Sequence, residues 1–257
     1  MISLVLPFFN ASATVERSWG AVRQFIQSQR ERWEAIFVSD GCTDGSDAVL
    51  NELADAENDH RLQVIGYPLN RGKGYAVRTG LLAAHGRYRL FTDIDLAYSF
   101  EDILKLLVTL KQGSPVAIAS REHPQSQITL TPQLIGYAYR RRQQSKVFST
   151  VANLLLPLNH GDTQAGLKGM TAEVAQWLLP HSCCNGFGFD CELLTMCRAH
   201  DVAVTEVPVT VRLDTAVTTT SKRTMLRMLR ELWRIRRQWR STRVARPEVA
   251  VPLRKAA

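Results

Sequence analysis

The sequence predicts an α/β protein with a mainly parallel sheet flanked by helices. Short apolar runs alternate along residues 1–120 with stretches whose apolar residues recur at helical spacing. Several of these runs end in aspartates or glycine-rich turns, and the carboxyl ends of parallel strands are where ligands bind in such sheets. The length of 257 residues is enough for one large domain with its own core.

The first half of the chain alternates strand and helix, as βαβ units do. The expected strands are Ile2 to Leu6, Ala35 to Val38, Leu62 to Ile65, Tyr88 to Phe91 and Val116 to Ala119. The expected helices lie around Val15 to Ile26, Val49 to Leu53, Val77 to Leu82 and Ile103 to Leu110. Right-handed crossovers place the loops after such strands on one side, so we expect Asp40, the Arg71–Lys73 turn, Asp93 and Asp95 to share one rim.

The second half is less regular. An apolar helix is expected from Val147 to Leu156, after a basic run, and a polar loop from Gly161 leads into a further strand. Helices are expected at Ala172 to Leu179 and at Cys191 to Arg198. Residues 202–211 alternate between apolar and polar and predict a strand, in which a proline indicates a sheet edge or a bulge.

The positive charge of the chain is concentrated at its C-terminal end. Residues 222–257 hold twelve Lys or Arg and two Glu, a net of +10, which leaves −2 of the total +8 for residues 1–221. A near-neutral body argues against a nucleic-acid surface. Residues 221–240 predict a basic amphipathic helix with Trp233 on its apolar side, which suits an anionic membrane interface. The same helix could instead pack on the body or a partner, and residues 241–257 are expected to be disordered.

Cysteine usage and hydropathy exclude several classes of protein. The five cysteines are odd in number and form no C-x-x-C pair, so neither a disulfide framework nor a zinc site is expected. This usage suits a reducing compartment. The N-terminus lacks the basic region of a signal peptide, and no apolar run reaches the roughly 18–20 residues of a transmembrane helix.

Asp93 and Asp95 directly follow the strand that ends at Phe91. Two carboxylates held close together repel each other unless a cation lies between them. A hard divalent ion such as Mg²⁺ or Mn²⁺ prefers such oxygens and would also bind a diphosphate. Two solvated loop aspartates are the alternative for this short pattern.

Five short blocks follow one another in an order that is typical of one enzyme family. They are Leu6 to Asn10, Ser39 to Gly45, Asn70 to Gly74, Asp93 to Asp95, and Asp162 to Lys168. From Ile2 to about Arg240 the chain thereby resembles glycosyltransferase family 2, most closely its dolichyl-phosphate glucosyl- and mannosyltransferase branch with bacterial polyprenyl-phosphate relatives. The resemblance implies a GT-A fold, in which residues 1–220 form one catalytic domain. Residues 1–120 would be its nucleotide-sugar half and residues 121–220 its acceptor half.

The resemblance also implies the roles of residues on the donor side. Pro7 and Asn10 would line the nucleotide pocket, Asp40 would meet the base or ribose, and Lys73 would lie near the phosphates. Ser39 stands where most relatives have an aspartate, which leaves the base, and with it UDP or GDP, open. The basic turn that holds Lys73 could also be a solvated loop.

Metal binding and catalysis are implied for three carboxylates. Asp93 and Asp95 match the D-x-D motif that holds Mg²⁺ or Mn²⁺ on the diphosphate, and Asp95 is expected to be catalytic. Asp190 matches an acidic position near the reaction centre and is the obvious candidate for a base, should the acceptor be an alcohol. Asp190 could instead be the N-cap of the helix that follows it.

The acceptor side is implied by a larger set of polar residues in the second half. The residues expected to bind acceptor or phosphate are Arg121, Arg140, Arg141, Asp162, Gln164 and Lys168. Arg121 is also expected to be catalytic, because an acceptor phosphate is already an anion and needs positioning by arginine more than it needs a base. The Arg140–Arg142 run could alternatively be a solvated or membrane-facing helix surface.

These observations predict an inverting, metal-dependent glycosyltransferase that moves a hexose from a nucleotide sugar to a polyprenyl or dolichyl phosphate. UDP-glucose and GDP-mannose are the expected donors, and residues 96–99 slightly favour glucose. The enzyme would be peripheral to the cytoplasmic face of a membrane, held by residues 222–240. The alternatives are the same fold acting on a hydroxyl acceptor and, more remotely, a non-catalytic sugar-nucleotide binder or a nucleic-acid-binding protein.

Overall fold

A computed structural model describes residues 1–130, 135–156, 158–213 and 222–239. The strands in this part of the chain are short. In chain order they are β1 (Ile2–Phe8), β2 (Trp33–Asp40), β3 (Leu62–Tyr67), β4 (Tyr88–Phe91), β5 (Val116–Ser120), β6 (Gln127–Leu130), β7 (Lys168–Thr171), β8 (Val204–Pro208) and β9 (Thr210–Leu213). Three of them, β1, β2 and β5, are buried along their whole length.

The described helices separate most of these strands. They are α1 (Val15–Ser28), α2 (Ser46–Glu57), α3 (Lys73–Ala83), α4 (Phe100–Lys111), α5 (Ile135–Leu155), α6 (Ala172–Leu178), α7 (Phe189–Ala199) and α8 (Lys222–Trp239). A short 3₁₀ turn over Leu179–His181 follows α6. The helices expected in the first half are confirmed, and each extends by a few residues beyond its apolar stripe.

Seven strands form one sheet in the order β3-β2-β1-β4-β7-β5-β8. β1, β2, β3 and β4 pair in parallel, and β5 pairs in parallel with β8. β7 is antiparallel to both of its neighbours, β4 and β5. The expected mainly parallel sheet is therefore confirmed, with one reversed strand near its middle.

Helices cover both faces of the sheet because successive side chains of each strand point to opposite sides. On one face, Leu4 and Phe37 pack with the apolar side chains of α1, α2 and α4. On the other face, Val5 and Ile36 pack with α3, α5, α6, α7 and α8. The central strands β1 and β2 are mostly apolar, since a parallel sheet with two covered faces buries the side chains on both sides of such strands.

The second half departs from the sequence-based expectation in two places. Residues 202–211 form β8 and β9, which belong to different sheets, and Pro208 is the last residue of β8 at the sheet edge. β9 pairs in parallel with β6, a strand that the sequence pattern did not indicate. In addition, α5 begins at Ile135, so the Arg140–Arg142 run lies within the helix rather than before it.

The C-terminal helix α8 packs on the body. Met228, Leu232 and Ile235 are buried in the same core as α7 and α5. Trp233 lies on the outer side and is 60% exposed. The alternative of packing on the body therefore accounts for the apolar stripe that was expected to face a membrane, and residues 241–257 lie outside the described part of the chain.

Candidate functional site

The polar residues of the first half meet at one edge of the sheet. Asn10 follows β1, Asp40 ends β2, and Asp93 follows β4. Because these three strands are adjacent and parallel, their carboxyl ends lie side by side. The rim expected from the crossover rule is present, and it also receives Lys73, the first residue of α3.

Asp40 is 3% exposed and binds the turn that precedes α3. Its Oδ1 accepts hydrogen bonds from the Tyr67 hydroxyl at 2.7 Å and from the backbone N–H of Arg71 at 2.8 Å. Its Oδ2 accepts from the backbone N–H of Gly72 at 2.9 Å. Burial and the bond to this carboxylate both raise the pKa of Tyr67. Asp40 thus fixes the backbone that carries Lys73, a role the sequence did not reveal.

Pro7 and Asn10 shape the neighbouring loop. Pro7 is buried in β1 opposite Val38 of β2. The Asn10 side chain accepts a hydrogen bond from the backbone N–H of Thr43 at 2.8 Å, with its own backbone at a positive φ of 49°. These contacts join the loops after β1 and β2, where a nucleotide pocket was expected.

Ser39 points to the opposite face of the sheet from Asp40. Its side chain is 1% exposed, and its hydroxyl finds no hydrogen-bond partner among the described residues. It lines a cavity of about 370 Å³ together with Gly66 and Tyr67. Ser39, which stands where most relatives have an aspartate, therefore lines this cavity and lies on the other face of the sheet from Asp40.

Lys73 forms an ion pair with Asp93, with 2.5 Å between Nζ and Oδ1. Burial works to lower the pKa of Lys73, but the charges of Asp93 and Asp190 outweigh it, so the pKa lies above its ordinary value. The lysine remains charged at the point where a diphosphate would carry negative charge. The solvated-loop alternative does not describe this side chain, which is 20% exposed.

Asp95 lies at an exposed position on a tight turn after β4. Its Oδ1 accepts a hydrogen bond from the backbone N–H of Ala97 at 3.1 Å, and Leu96 between them has a positive φ of 51°. The carbonyl of Ile94 accepts a hydrogen bond from the Ser18 hydroxyl of α1 at 2.6 Å. The turn that presents the two aspartates is thus held at both its backbone and its side chains.

The donor set at this turn fits a hard divalent ion. Asp93 and Asp95 supply carboxylate oxygens, which Mg²⁺ and Mn²⁺ prefer. Across residues 1–130, 135–156, 158–213 and 222–239, no group of three or more His, Cys, Asp or Glu side chains could hold a metal.

Gly166 allows Asp93 to occupy its observed position. A Cβ atom built on Gly166 would overlap Oδ2 of Asp93. The loop that holds Gly166 comes from the second half of the chain and leads into β7, which lies beside β4. The motif at residues 162–168 therefore contacts Asp93 through its glycine, which sequence reasoning missed because no side chain marks the contact.

Arg121 and Asp162 form a two-bonded ion pair. Nε of Arg121 lies 2.6 Å from Oδ2 of Asp162 and Nη2 lies 2.8 Å from Oδ1. Nη2 also donates to the Ser145 hydroxyl at 3.2 Å. Burial works to raise the pKa of Asp162, but the bonds and charge of Arg121 hold it below its ordinary value of 3.8. Arg121 was expected to bind an acceptor phosphate, and such a phosphate would share its guanidinium with Asp162.

Lys168 is fully buried and pairs with Asp190. Its Nζ lies 2.6 Å from Oδ1 of Asp190, donates to the carbonyl of Ala165 at 2.6 Å, and lies 5.8 Å from the centre of the Phe91 ring. Lys168 was expected to border the sugar and acceptor. In the structure its ammonium group pairs with Asp190, since a buried charge needs a partner. Its expected contact with the sugar and acceptor stays a prediction.

Asp190 lies in the first turn of α7 and is 4% exposed. The N-cap of this helix is Gly188, so the alternative reading of Asp190 as the N-cap is wrong. The structure places Asp190 below the rim, near both Lys168 and Lys73. Its carboxylate is therefore buried and engaged by Lys168 rather than open to solvent.

The remaining acceptor residues are only partly described. Gln164 is half-buried, and its backbone N–H donates to Oδ1 of Asp162 at 3.3 Å. Arg140 and Arg141 lie on α5, but their side chains are outside the described part of the structure. Their expected contact with a phosphate stays a prediction.

Tyr98 joins the two sides of the site and was not among the expected site residues. It is 5% exposed. Burial raises the pKa of Tyr98; the charge of Arg121 opposes this rise, while the charges of Asp162 and Asp93 add to it. Its place three residues after Asp95 was the available signal, because a large aromatic residue there must fit under the loop that holds Gly166.

Comparison with known proteins agrees with this architecture. The family profile described as Glycosyl transferase family 2 matches residues 3–178. The chain is 28% identical over 223 residues to the dolichyl-phosphate beta-glucosyltransferase of Saccharomyces cerevisiae, and 30% identical over 219 residues to the enzyme of the same name from Drosophila melanogaster. Each alignment covers 81% of this chain and 66% of the relative, so the chain spans just under two thirds of the length of these relatives.

Solved structures show the same fold. Glucosyl-3-phosphoglycerate synthase from Mycobacterium tuberculosis, in complex with uridine diphosphate, superposes with a TM-score of 0.64 at 20% identity, covering 93% of this chain and 79% of that one. Mannosyl-3-phosphoglycerate synthase from Rubrobacter xylanophilus gives a TM-score of 0.67 at 17% identity, covering 97% and 78%. The fold is therefore GT-A, as the sequence blocks implied.

Proposed function

This chain belongs to glycosyl transferase family 2, and we propose that it transfers a hexose from a nucleotide sugar to a polyprenyl or dolichyl phosphate with inversion at the anomeric carbon. The observation that carries the proposal is the meeting of Asp93, Asp95 and Lys73 on one rim of the sheet, closed from the second half by Gly166. This arrangement suits the diphosphate of a sugar nucleotide. The names of the curated relatives supply the acceptor class and favour glucose.

The donor would bind with its diphosphate at the Asp93–Asp95 turn. A bound Mg²⁺ or Mn²⁺ would neutralise negative charge on the leaving diphosphate. Related solved structures have been determined with Mn²⁺ and uridine diphosphate, and with GDP-mannose and Mn²⁺. Lys73 supplies a second positive charge on the same side, and Asp40 orients the turn that carries it.

In the transfer step, an oxygen of the acceptor phosphate forms the new bond to the anomeric carbon as the bond to the diphosphate breaks. The acceptor oxygen is already anionic at neutral pH, so no proton has to be removed. Arg121 would orient this phosphate while its own charge is held in place by Asp162.

The burial of Asp190 favours a phosphate over a hydroxyl acceptor. An alcohol needs a base within hydrogen-bond reach of its proton. Asp190, the base expected for that case, is 4% exposed and paired with Lys168. A hydroxyl acceptor remains the alternative, and it requires a different base.

The outer side of α8 supports contact with a membrane that holds the lipid acceptor. Arg227, Arg230, Arg234 and Trp233 are exposed on this helix. Basic side chains with an interfacial tryptophan suit an anionic lipid surface. None of the described helices is long and apolar enough to cross a membrane.

A transfer assay tests the proposal. Purified protein is incubated with labelled UDP-glucose, GDP-mannose or UDP-GlcNAc, with dolichyl phosphate, undecaprenyl phosphate or the unphosphorylated alcohol dolichol, in Mn²⁺ or EDTA. We expect a lipid-extractable product from UDP-glucose and a polyprenyl phosphate, β-linked by NMR and lost in EDTA. Product from dolichol at a comparable rate would instead establish the hydroxyl alternative.

Substitutions separate the roles of the carboxylates in the same assay. Asp93→Asn and Asp95→Asn should each lower the rate by about 100-fold or more, because each removes a ligand to the metal. Asp55→Asn, at an exposed position on α2, is the matched control and should retain the wild-type rate. Turnover that is insensitive to EDTA and to both substitutions would overturn the metal-dependent mechanism.

A further inference from the structure

The inner side of α8 reaches the loop that leads into α7. Oε2 of Glu231 accepts a hydrogen bond from the backbone N–H of Gly188 at 2.8 Å. Glu231 lies three residues after Met228 and next to Leu232, both of which are buried, so it shares their face of the helix. Glu231 is thus half-buried, because it lies beside the apolar side chains with which α8 packs on the body.

The contact lies at the N-terminus of α7. The N-cap of this helix is Gly188, which has no side chain to accept hydrogen bonds from the first turn. The first backbone N–H groups of a helix lack partners within the helix and favour a nearby negative charge. Glu231, which lies on a different helix of the same chain, supplies an acceptor and a negative charge in place of an N-cap side chain.

Two glycines make this approach possible. A Cβ atom on Gly186 would overlap the Glu231 carboxylate, and one on Gly188 would lie 2.9 Å from Oε2. Neither glycine has a positive φ. Their function at these positions is therefore to leave room for the carboxylate rather than to adopt a left-handed backbone.

The other side of the same loop contacts the start of α3. The carbonyl of Asn185 accepts a hydrogen bond from the backbone N–H of Tyr75 at 3.1 Å. A Cβ atom on Gly74 would lie 2.7 Å from the carbonyl oxygen of Cys184. The loop is therefore packed between α8 and the first turn of α3, whose first residue, Lys73, pairs with Asp93.

Asp190 follows this loop directly in the first turn of α7 and pairs with Lys168. We propose that Glu231 is a positioning residue, which holds the loop over residues 185–188 and the first turn of α7 so that Asp190 keeps its place beside Lys168 and Lys73 keeps its place beside Asp93. α8 is in this view a structural part of the site. The catalytic consequence rests on the proposed function, whereas the structural consequence does not.

Hydrogen exchange tests the structural consequence without any assay of activity. Peptides that cover residues 184–190 should exchange about fivefold faster in Glu231→Ala, the effect of one lost helix cap. Glu231→Gln keeps an oxygen at the same reach and should restore most of the protection. Arg230→Ala, the adjacent and exposed position on α8, is the control and should leave these peptides unchanged. Equal exchange in wild type and Glu231→Ala would overturn the proposal.

Measurement of kcat in Glu231 variants tests the catalytic consequence. Glu231→Ala should lower kcat by about tenfold through misplacement of the site, with Glu231→Gln within about threefold of wild type. Should Glu231→Ala fail to fold, Glu231→Asp replaces it, since its carboxylate is one methylene too short to reach Gly188. A folded Glu231→Ala or Glu231→Asp with the wild-type kcat would overturn the positioning role. A wild type without transfer activity would refute the proposed function, while the exchange experiment would still decide the place of Glu231.

Discussion

At the scale of single residues, the site is held by matched charges and by a glycine. Asp93 pairs with Lys73, and Asp190 pairs with the fully buried Lys168. Gly166 lets the Asp93 carboxylate lie against the loop from the second half of the chain. The position of the first D-x-D carboxylate is therefore set both by a lysine and by the absence of a side chain.

Gly166→Ala should displace Asp93 from its observed position. The added Cβ would overlap Oδ2, so either the loop or the carboxylate must move. We expect the affinity for uridine diphosphate in Mn²⁺ to fall by at least about tenfold, as when the support of a metal ligand is lost. Isothermal titration calorimetry with uridine diphosphate measures this affinity.

Gly161→Ala is the matched control in the same loop. A Cβ at this position would meet its nearest neighbour, Cβ of Glu122, at 3.5 Å, which is an ordinary contact. The variant should bind the nucleotide as the wild type does. Equal affinities for both glycine variants would show that the contact with Asp93 has no effect on binding.

The sequence predicted which carboxylates reach the rim but not how they are held there. Asp40 and Asp93 directly end or follow buried strands, so their location follows from the strand pattern. The partner of Lys168 could not be predicted, because a lysine is expected at the surface and its burial depends on Asp190, 22 residues away. The partners of Asp40 were not predicted either. The contact of Gly166 with Asp93 could not be predicted, because it depends on the absence of a side chain.

At the scale of elements, the loop over residues 161–166 is anchored to the end of β5. Asp162 accepts hydrogen bonds from the side chain of Arg121 and from its backbone N–H, the latter at 3.0 Å. This anchor joins the loop, which also holds Gly166, to the sheet. The resemblance indicated both residues as ligands of the acceptor, and the structure shows that they bind each other.

The anchor should stabilise the protein in a manner that depends on pH. The pKa of Asp162 is lower in the folded state than its ordinary value of 3.8. The stabilisation is therefore present above that value and is lost as the pH falls through the lower, folded pKa. At pH 7, Asp162→Asn should lose about 3 kcal/mol of unfolding free energy, as expected when a buried pair is broken, and the difference from wild type should shrink below about pH 4. Urea denaturation across this range measures it.

Asp59→Asn serves as the comparison for a surface pair. Asp59 binds Arg61, whose side chain is 45% exposed. Asp59→Asn should lower the unfolding free energy by less than about 1 kcal/mol at any pH, because exposed ion pairs contribute little. A cost for Asp162→Asn as small as that for Asp59→Asn would contradict the anchoring role.

Elements with strong periodicity were predicted well, and pairing partners were not. β1 and α1 follow from a short apolar run and a 3.6-residue stripe. The direction of β7 could not be predicted, since a buried strand has the same apolar pattern in either orientation. β6 was missed because its four residues carry no such run, and its partner β9 lies more than 80 residues further along the chain.

At the scale of the whole molecule, α8 has two sides with different surroundings. Its inner side is part of the core through Met228, Leu232 and Ile235. Its outer side carries the exposed Trp233 among arginines. The basic composition indicated a membrane contact, and the periodicity alone could not decide between the membrane and the body.

Substitutions on the outer side should weaken membrane binding and leave the fold intact. A triple variant of Arg227, Arg230 and Arg234 to Gln should bind vesicles with anionic lipid more weakly, by about 1 kcal/mol per charge. Vesicles of neutral lipid should bind both proteins equally. Flotation assays measure the binding, and the Tm of the variant should equal that of the wild type.

Deletion of residues 222–257 should give a different result, because it removes three buried side chains from the core. The deletion should lower the Tm and promote aggregation, so it cannot isolate the membrane contact. Undiminished binding to anionic vesicles by the triple variant would refute the membrane role of α8.

The reversed strand β7 has a consequence for folding during synthesis on the ribosome. It pairs with β4 on one side and β5 on the other, yet it is synthesised some fifty residues after β5 ends. Until residue 171 has left the ribosomal tunnel, β4 exposes an unpaired edge, and β5 has no strand partner, because its other neighbour β8 is synthesised later still. The part of the sheet formed by β1 to β4 is therefore joined to β5 only after a strand from the second half of the chain has been synthesised.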